Sequence, residues 1–225
     1  EGKDGGEFYT PSSVVKVLVE ILKPFENCRV YDPCCGSGGM FVQSVKFIQA
    51  HSGNRHNIAV YGQEATSDTW KMAKMNLAIR GITADLGDAN GDTFHDDKHK
   101  TLRADFIMAN PPFNVDEVVY EKVKDDNRFN TYGVPRNKSK STKKESDKKE
   151  TVPNANYLWI GYFAAALNPR GKAALVMANS ASDAGGSEYE IRKKMIEDGK
   201  IGEISQKLYD NLTGIQYGKV EDPFG

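Results

Sequence analysis

CRVYDPCCGSGGMFVQSVKFI, residues 28–48, decides the fold. Cys28 to Tyr31 reads as a short strand. It runs into a turn, Asp32-Pro33-Cys34-Cys35-Gly36-Ser37-Gly38-Gly39. Met40, Phe41, Val42, Val45, Phe47 and Ile48 then recur at helical spacing. A Gly-rich turn between a strand and a helix is the context in which such a turn holds a ligand. Glycines at 36, 38 and 39 let backbone approach a bound group closely. A tight packing turn would account for the glycines alone, so the neighbouring segments have to decide.

Upstream, Pro11-Ser12-Ser13 starts a helix, because Pro favours first-turn positions and Ser caps. Val14, Val15, Val17, Leu18, Ile21 and Leu22 form its apolar face, and Pro24 stops it. Downstream, Ile58 to Gly62 is a second strand that ends at Gln63-Glu64. Ser67 caps a helix carrying Trp70, Met72, Ala73, Met75, Leu77 and Ile79. A weak strand lies near Ile82 to Leu86, and Phe106 to Ala109 is another. Tyr157 to Leu167 is apolar on most sides and reads as a buried helix. Asn168-Pro169-Arg170-Gly171 ends that helix, Ala173 to Ala178 is a buried strand, and Glu188 to Asp198 is a helix. Alternating strands and helices of this length predict an α/β fold. Right-handed β-α-β units would build a mostly parallel twisted sheet with helices on both faces.

The 225 residues suffice for one large or two small domains, and 39% hydrophobic content supports a core. No apolar run approaches the ~20 residues of a membrane span. The amino end is charged and Gly-rich, unlike a signal peptide, and without an initiator Met it reads as a fragment or a processed chain. Cys28, Cys34 and Cys35 are odd in number and include an adjacent pair, which is no disulfide framework. They suggest a reducing, cytoplasmic setting. No second Cys/His cluster has ligand spacing, so no metal is expected. His51, His56, His95 and His99 lie in polar stretches and read as solvent-exposed. Net charge is −1, without the basic stripe of a protein that holds DNA alone. One stretch departs from this. Residues 136–151 carry seven basic side chains against three acidic ones, and read as a disordered insertion or a phosphate-contacting arm.

Asn110-Pro111-Pro112-Phe113 carries the chemistry. It follows the Phe106 to Ala109 strand, so it lies where open α/β sheets bind ligands. The residue before a proline is pushed into extended backbone, and neither proline has an N–H. The loop therefore presents carbonyl oxygens and then an aromatic face. Asn110 Oδ1 and the Pro111 carbonyl can accept from an exocyclic amino group while Phe113 stacks on the ring that bears it. A proline-rich turn is the plain alternative. Glu64 ends the next strand after the Gly-rich turn, where an acidic group takes ribose hydroxyls. The turn lacks dinucleotide-fingerprint spacing and opens with Asp32. A carboxylate there suits the cationic methionine end of S-adenosylmethionine and repels a pyrophosphate.

Gly6-Glu7-Phe8-Tyr9-Thr10-Pro11, Asp32 to Gly39, Glu64, Asp92-Thr93-Phe94 and Asn110 to Phe113, in this order, resemble the motifs of an N6-adenine DNA methyltransferase. More narrowly, they resemble the modification (M) subunit of type I restriction-modification systems. The resemblance runs from about Gly6 to Ala178 and more weakly to Asp198. It implies a Rossmann-like, S-adenosylmethionine-dependent methyltransferase. Phe8 and Thr10 would contact the methionine end of the cofactor. Asp32 and the backbone of Cys35, Gly36, Ser37 and Gly38 would surround its amino acid part. Glu64 would take the ribose hydroxyls. Asp92, or Asp88 in its place, would accept from the cofactor adenine, with Phe94 against that ring. Asn110 and Pro111 would bind the target amino group, Pro112 would stiffen the loop, and Phe113 would stack on the target base.

The resemblance implies double-stranded DNA as substrate, a specificity subunit that reads it, two M subunits, and a complex with or without a restriction subunit. Residues 1–204 would form the catalytic domain, with 136–151 inserted, and 205–225 an extension. An amino-terminal helical domain expected of such subunits is not found in the sequence. RNA-base or protein-glutamine N-methyl transfer poses the same chemical problem and stays open. So does a non-catalytic scaffold that binds S-adenosylmethionine. A nicotinamide oxidoreductase is more distant.

Overall fold

The computed structural model describes residues 10–51, 54, 57–113, 115, 118–136, 150–152, 154–177, 181 and 185–201. Phe8, His56, most of the Lys-rich stretch and residues 205–225 lie outside them. The elements run α1 (Ser12–Leu22), β1 (Arg29–Asp32), α2 (Gly39–Ala50), β2 (Ala59–Gly62), α3 (Ser67–Ile79), β3 (Ala84–Asp85), β4 (Ala104–Ala109), α4 (Tyr120–Val123), α5 (Asn156–Ala166), β5 (Leu167–Leu175) and α6 (Gly186–Glu197). A short 3-10 turn covers Asn127–Phe129.

The strands form one sheet in the order β3-β2-β1-β4-β5, and every pair is parallel. Central β1 pairs with β2 from Arg29↔Ala59 to Asp32↔Gly62, and with β4 through Val30↔Phe106 and Tyr31↔Ile107. Alternate residues along each strand enter different cores, as the pleat requires. Val30, Val60, Phe106 and Met108 pack with α1, α2 and α3 residues such as Leu18, Phe41 and Leu77. Tyr31, Ile107 and Ala109 pack with Leu158, Trp159, Tyr162 and Phe163 of α5. Helices therefore cover both faces, which is why the strands read as nearly continuous apolar runs.

Four details differ from the expectation. Pro11, not a serine, precedes α1, and no side chain caps that helix. Thr66, not Ser67, is the residue that precedes α3, and its side chain makes no cap. Asn168 to Gly171 does not separate α5 from a later strand. Strand β5 begins at Leu167, and these four residues bulge between Ala104↔Leu167 and Phe106↔Lys172. His99 is not a solvated loop residue. Its ring stands edge-on to Tyr31 and Tyr61, and Nε2 lies 2.9 Å from the Gly62 carbonyl. Aromatic residues distant in sequence enclose it, so the polar character of its own segment gave no warning.

A Cβ on Gly171 would lie 2.7 Å from the Ala104 carbonyl oxygen. Gly171→Ala is expected to destabilise the fold by roughly 1–3 kcal/mol, the usual cost of overpacking. The readout is the midpoint of urea unfolding, and an unchanged midpoint would show that the bulge yields.

Candidate active site

The chain turns from β1 toward β2 on one side, and β4 lies on the other side of β1. The carboxyl ends of β1 and β4 therefore flank a topological switch point, where ligands of open α/β sheets bind. Asp32 ends β1 and Asn110 follows β4.

At the β1 end, Gly36 (φ +52°) and Gly38 (φ +80°) take the left-handed backbone that glycine adopts without strain. A Cβ on Gly38 would come within 3.3 Å of Leu77, so α3 packs tightly on the turn. Asn76 of α3 donates to the Ser37 carbonyl (2.6 Å), and Cys35 N donates to the Gln63 carbonyl (2.9 Å). Glu64 Oε2 accepts from Gly36 N at 3.0 Å, and Oε1 accepts from Thr66 N at 3.0 Å. The carboxylate thus braces the turn from the end of β2.

Asp32 is buried, and its side chain accepts from Cys34 N at 3.0 Å. Burial pushes its carboxyl up to about 7, with the Glu64 charge adding to the rise. Burial, and then the Asp32 charge, pushes the Cys34 and Cys35 thiols well above their ordinary range. Neither offers a thiolate near neutral pH, so neither suits nucleophilic work.

The next loop is tied down from two directions. Gln63 is fully buried. Its Nε2 donates to the carbonyls of Gly91 and Asp96 (2.8 Å each), and its Oε1 accepts from Lys98 N (2.9 Å). Arg128 approaches from the opposite side. Its guanidinium donates to the carbonyls of Thr93 and Phe94 (2.7 Å each), to Asp97 (3.1 Å), and to both oxygens of Asp126. Asp97 also accepts from Tyr162, whose hydroxyl meets that of Tyr31 at 2.7 Å. Sequence patterning marked neither Gln63 nor Arg128. Gln63 stands at a strand end with no motif of its own, and Arg128 lies in a stretch without periodicity. The buried acidic partner of Arg128 appears only once the chain is folded.

Asp92 turns its own carboxylate onto Phe94 N (2.9 Å) and His95 Nδ1 (2.5 Å), and its side chain remains half exposed. Asp88 is exposed and pairs with Lys98 (3.5 Å). The Phe94 ring is buried 4.3 Å from the Trp159 ring, which leaves little of its face for a ligand.

At the β4 end, Pro111 is buried while Pro112 and Phe113 are exposed. Asn110 Nδ2 donates to Thr10 Oγ1 at 3.0 Å. Asn110 Oδ1 is buried and has no hydrogen-bond partner among the described residues. A buried, unpaired acceptor is costly and uncommon unless a ligand completes it. The structure thus brings Asp32, the Gly-rich turn, Glu64, Thr10 and Asn110 to the carboxyl ends of β1, β2 and β4. It places Phe94 in the core.

A family model described as N-6 DNA methylase matches residues 1–216. The chain is 45% identical, over 197 residues, to the methylase subunit of the type I restriction enzyme HindI of Haemophilus influenzae. That alignment covers 87% of this chain and 41% of the relative. It is 39% identical over 219 residues to the type I MjaIX methylase subunit of Methanocaldococcus jannaschii, covering 95% and 36%. Among solved structures, the methyltransferase subunit of a type I restriction-modification system from Streptococcus thermophilus superposes with a TM-score of 0.71 at 24% identity. That superposition covers 88% of this chain and 40% of that one. The chain therefore spans about two-fifths of the length of these relatives. Since the family model extends over nearly all of its residues, the chain belongs to the N-6 DNA methylase family.

Proposed function

We propose that this chain carries the catalytic site of a DNA methyltransferase that methylates the N6 amino group of adenine within a type I restriction-modification complex. Family membership and the names of the relatives support that class. The observation that carries the chemistry is Asn110 Oδ1, a buried acceptor without a partner beside the exposed ring of Phe113. An amino group on a flat base supplies what both lack.

Membership in a methylase family implies S-adenosylmethionine, which supplies an electrophilic methyl group on a sulfonium centre. The residues present fit it. Asp32 is a buried carboxyl whose side chain accepts from Cys34 N and lies beside no cation among the described residues, so it can take an ammonium. Glu64 lies across the turn from it, able to accept from ribose hydroxyls. Glycines at 36 and 38 let the backbone take the left-handed turns that shape the cradle.

The adenine amine is a weak nucleophile because its lone pair is delocalised into the ring. Asn110 Oδ1 and the Pro111 carbonyl hold its two hydrogens out of the ring plane, which localises the lone pair on nitrogen. Phe113 fixes the plane of the base. Orientation and a preorganised polar site account for most of the rate. The base cannot be reached inside a duplex and flips out. A specificity subunit would read the sequence and supply phosphate contacts that a chain of net charge −1 does not. Two copies of the subunit would serve one complex, with or without a restriction subunit.

The test incubates the intact protein, together with its specificity subunit, with methyl-labelled S-adenosylmethionine and duplex DNA, RNA or a glutamine-containing peptide, then digests each product for mass spectrometry. N6-methyldeoxyadenosine is expected. Label found only in RNA or in a glutamine-containing peptide would overturn the reading.

A pH dependence follows from Asp32. Its carboxyl, held near 7, is largely protonated below that pH, and an incoming ammonium requires the carboxylate. Cofactor binding must then release a proton. Affinity is expected to fall by up to about tenfold for each pH unit below 7, and to level off above it. Calorimetric titration across pH 5.5–8.5 reads this. Asp32→Asn should bind weakly with a flat profile, and a flat profile in the wild type would remove Asp32 from the ammonium.

A further inference from the structure

The Asn110 carboxamide can serve as an acceptor only if its oxygen, not its nitrogen, faces the target. Turned by half a rotation, it would present two N–H donors to an amino group that is itself a donor. Carboxamide oxygen and NH₂ differ little in size, so packing alone distinguishes them poorly. A hydrogen bond to one end of the amide limits that rotation; because a hydroxyl can meet either end, what it fixes is the position and plane of the carboxamide. The described contact at that end is Nδ2 to Thr10 Oγ1, 3.0 Å, from a residue one hundred positions earlier in the chain.

Thr10 is well placed to act as a fixed anchor. It precedes Pro11, which restricts its backbone to extended forms. The Pro11 carbonyl accepts from Val15 N at 3.1 Å, opening α1. Helix α1 is in turn held by buried Val15, Leu18, Val19 and Leu22. The hydroxyl is thus tied to the core through a proline and the first turn of a helix.

We propose that Thr10 is a positioning residue for the target amino group, acting through Asn110 by holding its carboxamide in place. This rests on the adenine-methyltransferase reading, and it gives Thr10 a role in addition to cofactor contact. Thr10→Val keeps the side-chain shape and removes the hydroxyl. Thr10→Ser keeps the hydroxyl.

The experiment uses the intact protein, compares wild type with both variants, and has two independent readouts. The first is kinetic. Thr10→Val is expected to lower kcat roughly tenfold, as loss of an orienting hydrogen bond does. The loss should persist at saturating cofactor, and Thr10→Ser should recover most of the rate. An unchanged kcat in Thr10→Val, or a loss confined to cofactor binding, overturns the proposal. The second readout is the side-chain NH₂ signal of Asn110 in protein labelled with ¹⁵N-asparagine, assigned by its disappearance in Asn110→Asp. The signal should shift and exchange faster with solvent in Thr10→Val, and stay near its wild-type position in Thr10→Ser. If the wild type methylates no adenine, the functional reading fails on the first readout, while the second still decides the Thr10–Asn110 contact. An Asn110 signal unmoved by Thr10→Val overturns it.

Discussion

Asn110→Ala is expected to lower the rate of methyl transfer by roughly 10²–10³-fold, the usual cost of deleting one preorganised hydrogen-bonding group aimed at the reacting centre. The substitution removes the buried Oδ1 and leaves the Pro111 carbonyl as the remaining acceptor. It does not touch Asp32, Glu64 or the Gly-rich turn, so cofactor affinity should change less than about threefold. The loss should therefore appear in kcat, and in kcat/KM for DNA to a similar degree, because the contact matters most as the amine rehybridises. Single-turnover transfer to duplex DNA at saturating cofactor is the measurement. A rate within tenfold of the wild type would mean that other groups hold the amine. Folding should not obscure the result, since Asn110 is only half-buried and its deletion leaves only the Thr10 hydroxyl to re-pair.

Arg128→Met should have the largest effect on stability. The guanidinium holds Asp97, whose side chain is only 3% exposed, and also the carbonyls of Thr93 and Phe94. Methionine fills a similar volume but leaves a buried carboxylate without its cation. Breaking such a pair from one side costs about 3–5 kcal/mol. For a domain of this size that lowers the melting temperature on the order of 10 °C. Arg128→Lys should recover only part of it, because an ammonium cannot reach two carbonyls and two carboxylates at once. Asp97→Asn combined with Arg128→Met should be milder than Arg128→Met alone, since the more deeply buried of the two stranded charges is then gone. Equal melting points for the single and double variants would contradict this account.

What could be read in the sequence follows from the range of the forces involved. Strand β1, the Gly-rich turn and α2 were legible together because strand, turn and helix periodicities adjoin within twenty residues. Asn110 to Phe113 was legible because proline restricts its own neighbours. Thr10 was found through its motif. That its hydroxyl meets Asn110 was not, since the contact spans a hundred residues. The same holds for Gln63, Arg128 and His99, whose partners are backbone carbonyls, buried carboxylates or rings brought close only by the sheet. Phe94 shows the opposite case. The resemblance put it against the cofactor ring, and the fold buries its ring 4.3 Å from that of Trp159. The bulge at Asn168 to Gly171 read as a turn because glycine, proline and asparagine serve both purposes, and only pairing with Ala104 distinguishes them.

The strand order bears on how the chain is made. Strand β1 lies between β2 and β4, and the second of these is synthesised more than seventy residues later. At ribosomal speeds of about 5–20 residues per second, one edge of the central strand waits roughly 4–15 s for its neighbour. Throughout that interval Val30 and Tyr31 present an open, apolar edge, the kind of surface that recruits other nascent chains. Arrival of β4 closes it, and Asp105 then accepts from the backbone N–H and side chain of Arg29 at the base of the new pair. Variants that slow this closure, Asp105→Ala among them, would show themselves first as poor yield during expression, before any change in the finished protein.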